Sequence, residues 1–310
     1  MALHTIILAA GIGKRMKSKQ VKVLHDLMGK PIIEWVIDQA KSISKESITI
    51  VYGKKGKKLK DKFPGIQYAL QEEPTGTGAA VAVALKKIKE KKGTVVILSG
   101  DIPLIRKKSL AKLLDFHKKN ALDVTIMTFC PKDPEGYGRI IRSQNEITKI
   151  IEERDASKQQ KKIGEVNGGI YVFSIYHLRN AIKKLNTDNA QGEYYLTDVV
   201  AIIRENGGKI GGFKTENPLE LKGINTRKNL SEAIQILRDR KIESLQKEGV
   251  TIMLPETVYI EPNVKVGQDT IIYPNTVLLG NTIIGSDCIL EPFVYLIDKK
   301  IPSGTTIKSG

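Results

Sequence analysis

Three short segments carry residue types suited to phosphate and metal chemistry. Leu8-Ala9-Ala10-Gly11-Ile12-Gly13-Lys14-Arg15-Met16 leads from an apolar run into a glycine-rich turn. Backbone N–H groups in such a turn can approach a phosphate or a nucleobase, and Lys14, Arg15 and Lys22 add positive charge nearby. The turn lacks the third spaced glycine of a dinucleotide fingerprint and the Gly-Lys-Ser/Thr ending of a P-loop, so alone it leaves nucleotide binding and a plain strand-end turn equally open. Gln71-Glu72-Glu73-Pro74-Thr75-Gly76-Thr77-Gly78-Ala79-Ala80 would open a helix with free N–H groups at Gly76 to Gly78, a place for a base edge or a phosphate. Its plain alternative is a strand-to-helix turn with Thr77 near the cap. Ser99-Gly100-Asp101-Ile102-Pro103-Leu104 follows the apolar residues 95–98. An aspartate at that point can hold magnesium against phosphates, or serve only the turn.

The elements that must position these loops are legible as apolar runs alternating with amphipathic stretches. Strands are expected over residues 5–10, 48–52, 94–99 and 124–129, and helices over 31–42, 78–90 and 109–117. This alternation predicts an α/β, Rossmann-like domain with a mostly parallel sheet covered on both faces, its ligand crevice outside the carboxyl ends of the strands. Shorter strands near 139–142, 147–151 and 165–173 predict a small mixed-sheet elaboration. A helix over 227–248, with Leu230, Ile234, Leu237, Ile242 and Leu245 on one stripe, reads as a connector. Beyond it the apolar period becomes six: Leu254, Ile260, Val266, Ile272, Leu278, Ile284 and Leu290 recur between turn residues, and the register slips near 299–301. Neither helix nor ordinary strand has that period, whereas a hexapeptide β-helix does. The expected domains are therefore 1–227, a linker helix at 228–249, and a short solenoid at 250–310.

Composition narrows the function classes. Lysine and arginine number 50 against 34 aspartates and glutamates, a formal charge of +16, with the densest run at Lys54-Lys55-Gly56-Lys57-Lys58-Leu59-Lys60-Asp61-Lys62. Lysine dominates arginine and few aromatics stand among the lysines, which argues against a nucleic-acid partner and for a solvated surface. No run of about 18 apolar residues predicts a membrane span. The N-terminal run enters a glycine turn as a buried strand does, unlike a signal peptide. Cys130 and Cys288 lie far apart without metal-ligand spacing, in keeping with a reducing, cytoplasmic setting.

Together the three loops resemble the sugar nucleotidyltransferases. Further segments extend the match: Glu135-Gly136-Tyr137-Gly138-Arg139, Ile151-Glu152-Glu153-Arg154-Asp155-Ala156, Glu165-Val166-Asn167-Gly168-Gly169, Asn189-Ala190-Gln191-Gly192-Glu193-Tyr194-Tyr195-Leu196-Thr197-Asp198 and Gly223-Ile224-Asn225-Thr226-Arg227. In order and near-spacing they are similar to the GlmU-like N-acetylglucosamine-1-phosphate uridyltransferases over the first 230 or so residues, and the hexads match the start of that family's left-handed β-helix. The resemblance implies nucleotide contacts at Leu8, Ala9, Ala10, Gly11, Lys22, Gln71, Gly76 and Thr77, and at Ser99, Gly100 and Asp101. It implies sugar-side contacts at Gly138, Glu152, Asn167 and Asn225, and a magnesium ion (Mg2+) on Asp101 and Asn225. Arg15 and Lys22 would then act as the catalytic cations. Two positions depart from the family: Val21 stands where a proline usually precedes the lysine, removing a rigid bend beside Lys22, and Ser99 stands where an aromatic ring is common.

The implied activity is transfer of a uridylyl group from UTP to N-acetylglucosamine 1-phosphate, releasing pyrophosphate, as a step toward cell-wall precursors. Such transfers need positioning and charge neutralisation more than covalent help, which accords with the lack of a Ser-His-Asp or Cys-His signature. A related transferase using another sugar or nucleotide, and a non-catalytic sugar-nucleotide sensor, are the alternatives. The family's second activity, acetyl transfer, is not expected: His4, His25, His117 and His177 all precede the solenoid, which leaves it without the usual base. The solenoid is expected to assemble a homotrimer.

Overall fold

The computed structural model of the chain describes residues 2–44 and 46–309. They fall into two compact units: the first runs to Asn225 apart from Asp26–Pro31, which join Thr226 onward in the second.

In chain order the elements up to Asn225 are β1 (Leu3–Ala9), β2 (Asp26–Leu27), β3 (Lys30–Pro31), α1 (Ile32–Ile43), β4 (Ile48–Gly53), α2 (Lys58–Lys62), β5 (Gln67–Gln71) and α3 (Thr77–Leu85). They continue with β6 (Thr94–Ser99), α4 (Lys107–Lys119), β7 (Val124–Phe129), β8 (Arg139–Ser143), β9 (Glu146–Ile151), β10 (Val166–Ser174), α5 (Ile175–Ile182), α6 (Asp198–Glu205) and β11 (Ile210–Lys214). Among the described residues of the first unit the strands make one nine-stranded sheet, ordered β11-β7-β10-β6-β1-β4-β5, with β8 on β10 and β9 on β8. Strands β6, β1, β4 and β5 run parallel, whereas β10 lies antiparallel between β6 and β7. Residues 124–129 and 166–174 are thus central strands of the main sheet, and only the β8–β9 hairpin is the expected elaboration.

Side-chain alternation builds a core on each face. Ile6, Val95, Ile97, Tyr171 and Phe173 belong to one buried cluster, with Val81 and Ala84 of α3, Leu178 of α5 and Val199 of α6. Their neighbours Ile7, Val96, Leu98, Ile170 and Val172 belong to the other, with Val36 and Ile37 of α1 and Leu110 and Leu113 of α4. Period-two alternation sends adjacent residues to opposite faces, and burial on both faces explains the near-continuous apolar runs. Helix α3 stops at Leu85, short of the expected Glu90. Buried Ile88 and its neighbours turn instead, and the Arg179 guanidinium donates to the carbonyls of Ile88 and Glu90.

In the second unit α7 (Arg227–Lys247) is fixed at its start by a reciprocal cap. Thr226 Oγ1 accepts from the Asn229 N–H at 3.1 Å and Asn229 Oδ1 from the Thr226 N–H at 3.2 Å. Leu237, Ile242 and Leu245 are buried as the stripe requires, joined by Ala233, while Leu230 and Ile234 are half-buried. Ten short strands follow: β12 (Thr251–Ile252), β13 (Tyr259–Ile260), β14 (Lys265–Val266), β15 (Ile271–Ile272), β16 (Val277–Leu279), β17 (Ile283–Ile284), β18 (Ile289–Leu290), β19 (Tyr295–Ile297), β20 (Lys300–Ile301) and β21 (Thr306–Ile307). They form three parallel sheets, β12-β15-β18-β21, β13-β16-β19 and β14-β17-β20, so three hexads close each turn of a left-handed β-helix.

Ile260, Val266, Ile272, Leu278, Ile284 and Leu290 all point inward, joined two residues earlier in each hexad by Val258, Val264, Thr270, Thr276, Thr282 and Cys288. Leu254 does not: it is 57% exposed, with φ 46°. The physical reason is an extra pair of residues in the first coil, where Ile252 pairs with Ile272 while later coils repeat every eighteen. Ile252 takes the inward place and Leu254 is pushed onto the corner. The later slip is a one-residue deletion, since Ile284 pairs with Ile301 seventeen residues on. Lys241 ties α7 to a solenoid corner, its ammonium donating to the Val264 and Pro262 carbonyls at 2.6 and 3.2 Å.

His117, buried in α4 and hydrogen bonded through Nδ1 to Thr125 Oγ1 at 2.8 Å, has its pKa lowered by burial, with Asp123 opposing. The unfolded chain therefore binds more protons than the folded one as pH falls below about 6.5. The stability His117 contributes is whole above that pH and is lost as pH drops through its folded pKa. Urea unfolding should show the midpoint falling between about pH 7 and 5 in the wild type and falling less in His117→Gln. Equal pH slopes for the two proteins would contradict the assignment.

Candidate active site

The carboxyl ends of β1, β4 and β6 make a flat backbone platform because glycines flank the central strand. A Cβ on Gly53 would lie 3.0 Å from the Ala10 carbonyl, and one on Gly100 3.0 Å from that of Leu8, whose oxygen accepts the Gly100 N–H at 2.9 Å. From this platform the loop turns at Gly13 with φ 68°. A Cβ there would sit 2.6 Å from the Lys22 Cβ, so glycine lets the loop cross over Lys22. A short 3-10 turn, Lys14–Met16, follows, anchored by buried Met16 with Arg15 exposed.

Lys22 is the centre of the charge arrangement. Its ammonium donates to Asp101 Oδ2 and, at 2.9 Å, to Asn225 Oδ1. The Ile224 N–H donates to the Asp101 carbonyl at 2.8 Å, which fastens the two loops together. One carboxylate and one amide oxygen thus converge on a single cation. That donor pair fits a hard divalent ion such as magnesium, which keeps water and substrate phosphates as its other ligands. Among the described residues no three His, Cys, Asp or Glu side chains cluster for a metal.

Val21 keeps the bend expected of proline, with φ −60° and ψ 133°. The lost proline therefore does not displace Lys22. Because the native φ already suits the ring, Val21→Pro should raise the urea midpoint, by about 0.4–1 kcal/mol of stability. A destabilised variant would show that the bend needs the valine N–H or its branched side chain.

The second wall comes from the corner between β5 and α3. Gln71, buried, donates through Nε2 to the Gly76 carbonyl at 3.0 Å. Gly76 has φ 112°, and a Cβ there would lie 2.5 Å from the Tyr194 carbonyl oxygen. The Gly78 N–H is not free as the sequence suggested, because it donates to the Tyr194 carbonyl at 2.7 Å. Thr77 does not cap the helix: its hydroxyl accepts the Leu196 N–H at 3.0 Å. The segment 189–198 is therefore seated on this corner.

A cavity of about 660 Å³ opens among Leu8, Ala9, Ala10, Gly11, Arg15, Lys22, Gln71, Gly76, Thr77, Ser99 and Asp101. Gln191 and Glu193, to which the motif over 189–198 gives no role by itself, line it as well. Gly138, Glu152 and Asn167 form a neighbouring group. The Asn167 N–H donates to the Gly138 carbonyl at 2.8 Å, and Glu152 Oε1 accepts from the Thr197 hydroxyl at 3.0 Å. Burial raises the Glu152 pKa, partly offset by that hydroxyl. Ser99 Oγ reaches the Gly169 carbonyl at 3.4 Å, joining the β6 end to this group. Arg139, fully buried and paired with Glu153 at 2.8 Å, supports the loop from below. Nothing in its local sequence marks an arginine as buried; its ion pair and its hydrogen bonds to the Tyr137 and Lys161 carbonyls satisfy it there.

Gly76→Ala should cost roughly 1–3 kcal/mol, since a side chain there is strained and collides with the Tyr194 backbone. Differential scanning calorimetry should show the loss. An unchanged melting temperature would mean that the corner does not depend on this close approach.

A family model for a MobA-like NTP transferase domain matches residues 5–195, and one for the bacterial transferase hexapeptide (six repeats) matches residues 257–298. The protein named Bifunctional protein GlmU from Caldanaerobacter subterraneus subsp. tengcongensis is 44% identical over 308 residues, covering 98% of this chain and 67% of that protein. The protein of the same name from Clostridium novyi is 42% identical over 312 residues, covering 100% of this chain and 68% of that one. A Bacillus anthracis crystal structure assigned as a glucose-1-phosphate thymidylyltransferase shares the fold, with TM-score 0.61 and 21% identity over 77% of this chain and 96% of that one. With this similarity along nearly its whole length, and with the glycine turn, Lys22, Asp101 and Asn225 gathered at one crevice, the chain belongs to the GlmU family of nucleotidyltransferase enzymes.

Proposed function

We propose that the enzyme is a uridylyltransferase that makes UDP-N-acetylglucosamine and pyrophosphate from UTP and N-acetylglucosamine 1-phosphate. The observation that carries this reading is the convergence of Asp101 and Asn225 on the Lys22 ammonium at the wall of a cavity that also presents Arg15 and the glycine turn. In the proposed reaction a phosphate oxygen of the sugar phosphate attacks the α-phosphorus of UTP in line. The new O–P bond forms as the bond to the β-phosphate oxygen breaks, and that electron pair leaves with pyrophosphate. No proton transfer and no covalent enzyme intermediate are needed.

Lys22 and Arg15 offset the charge that gathers on the transferring and leaving phosphates. Gln71 and the Gly76 backbone suit the uracil edge, and Glu152 with Asn167 suit the hydroxyls and acetamido group of the sugar. Asp101 and Asn225 would hold magnesium, which when bound neutralises phosphate charge. Residues 250–310 are proposed as an assembly element that forms a trimer, and not as an acetyl-transfer catalyst, because these hexads contain no histidine. No described helix is long and apolar enough to cross a membrane.

The direct assay is pyrophosphate release with UTP, dTTP, CTP or GTP, each paired with glucose 1-phosphate or N-acetylglucosamine 1-phosphate. UTP with the N-acetylated sugar should be fastest, and preference for another pair would overturn the substrate assignment. Asp101→Ala and Asn225→Ala should each lower turnover roughly a hundredfold or more at saturating magnesium. Near-wild-type turnover in either variant would remove that residue from the metal site.

A further inference from the structure

A polar contact at the edge of the core lies under Asn167. In β10 the pairing register to β7 shifts between Asn167 and Tyr171, and Gly169 within the bulge has φ 70°. The bulge folds the Asn167 side chain back along its own strand. Its Nδ2 donates to the Tyr171 hydroxyl at 2.6 Å, and its Oδ1 accepts the Gly169 N–H at 3.0 Å. Tyr171 is 4% exposed, in the cluster with Ile126, Ile150 and Phe173, its ring stacked on Phe173 at 5.6 Å.

We propose that Tyr171 is a positioning residue for sugar selection: its buried hydroxyl holds the Asn167 amide in place while the Gly169 N–H selects which way round it lies, with one amide N–H and one carbonyl lone pair left to read the acetamido group. This rests on the reading of Asn167 as a sugar-side residue. The lock works in one direction only. A flipped amide would set its NH2 group against the Gly169 N–H, two donors facing each other, while the tyrosine can accept from the orientation observed. Burial, aided by the nearby Glu152 carboxylate, pushes the phenol pKa up, so the group stays a neutral hydroxyl.

Fixing the amide before the ligand arrives removes an ordering cost from sugar binding. It also gives discrimination. A polar pair aimed at the acetamido group is left unmatched by a sugar that lacks it. Thr197 plays the parallel part for Glu152, donating to its Oε1 at 3.0 Å. The neighbouring nucleotide contacts share no hydrogen bond with Tyr171, so an effect through Asn167 falls on the sugar alone.

The test is Tyr171→Phe, which keeps the ring on Phe173 and removes only the hydroxyl. KM for N-acetylglucosamine 1-phosphate should rise about three- to tenfold, the worth of one hydrogen bond, while KM for UTP and turnover stay as in the wild type. The preference over glucose 1-phosphate should narrow by the same factor. In an Asn167→Ala background Tyr171→Phe should have no further effect on KM, because the hydroxyl would have nothing left to position. A parallel rise in KM for UTP with a fall in melting temperature would mean that the hydroxyl serves only stability, and would overturn the proposal. So would an unchanged sugar KM in an active enzyme, or full additivity with Asn167→Ala. A wild type that releases no pyrophosphate from UTP with either sugar phosphate would instead remove the functional reading on which the proposal rests.

Discussion

The close approach of the Gly76–Gly78 backbone to that of Tyr194 is the contact on which the site depends. The Tyr194 N–H donates to the Thr75 carbonyl at 2.8 Å and its carbonyl accepts the Gly78 N–H at 2.7 Å, a reciprocal pair that side chains at 76 or 78 would prevent. Once that contact is made, Thr77 can accept the Leu196 N–H, Gln191 and Glu193 reach the cavity wall, and Thr197 stands where it donates to Glu152. One tight backbone seam therefore couples the corner beside Gln71 to the group around Asn167. Two backbone hydrogen bonds are modest in net energy, about 1 kcal/mol each. Their force here is geometric, because they admit only one relative placement of two segments remote in sequence.

The electrostatics follow a similar economy. A chain of net charge +16 has excess positive potential, which draws phosphates generally but cannot place one. In the proposed site, placement would come from a single neutralised spot, where Asp101 and Asn225 share the Lys22 ammonium. The carboxylate balances the lysine, so no large unpaired charge is buried there. Glu152 shows the opposite case, a carboxyl whose ionised form is disfavoured by burial and held by one hydroxyl.

The solenoid shows what a repeat leaves undecided. Ile260, Val266, Ile272, Leu278, Ile284 and Leu290 face inward because a six-residue period admits only one packing of apolar residues in a triangular coil. Leu254 obeys the period in sequence and breaks it in space, because the first coil carries two additional residues at its corner. Phase within a repeat is set by pairing with the next coil, and the first hexad has a partner on one side only.

Local chemistry in the sequence by itself determined a good deal of this protein. Apolar runs long enough for strands buried on both faces, glycines at their carboxyl ends and a period of six are each properties of a few adjacent residues, and they specified the α/β sheet, the crevice loops and the β-helix. Asp101 and Lys22 stand in or beside loops whose residue types suit phosphate chemistry, whereas Asn225 is named only through the resemblance to the nucleotidyltransferases. What only the tertiary structure decided was which remote segments meet. That Gly78 spends its N–H on Tyr194, that β10 enters the main sheet between β6 and β7, that Arg139 is buried against Glu153, and that Tyr171 lies under Asn167 are all long-range pairings or consequences of one bulge. No local propensity encodes them, because each is selected by the packing of the whole sheet and by the requirement that buried polar groups find partners.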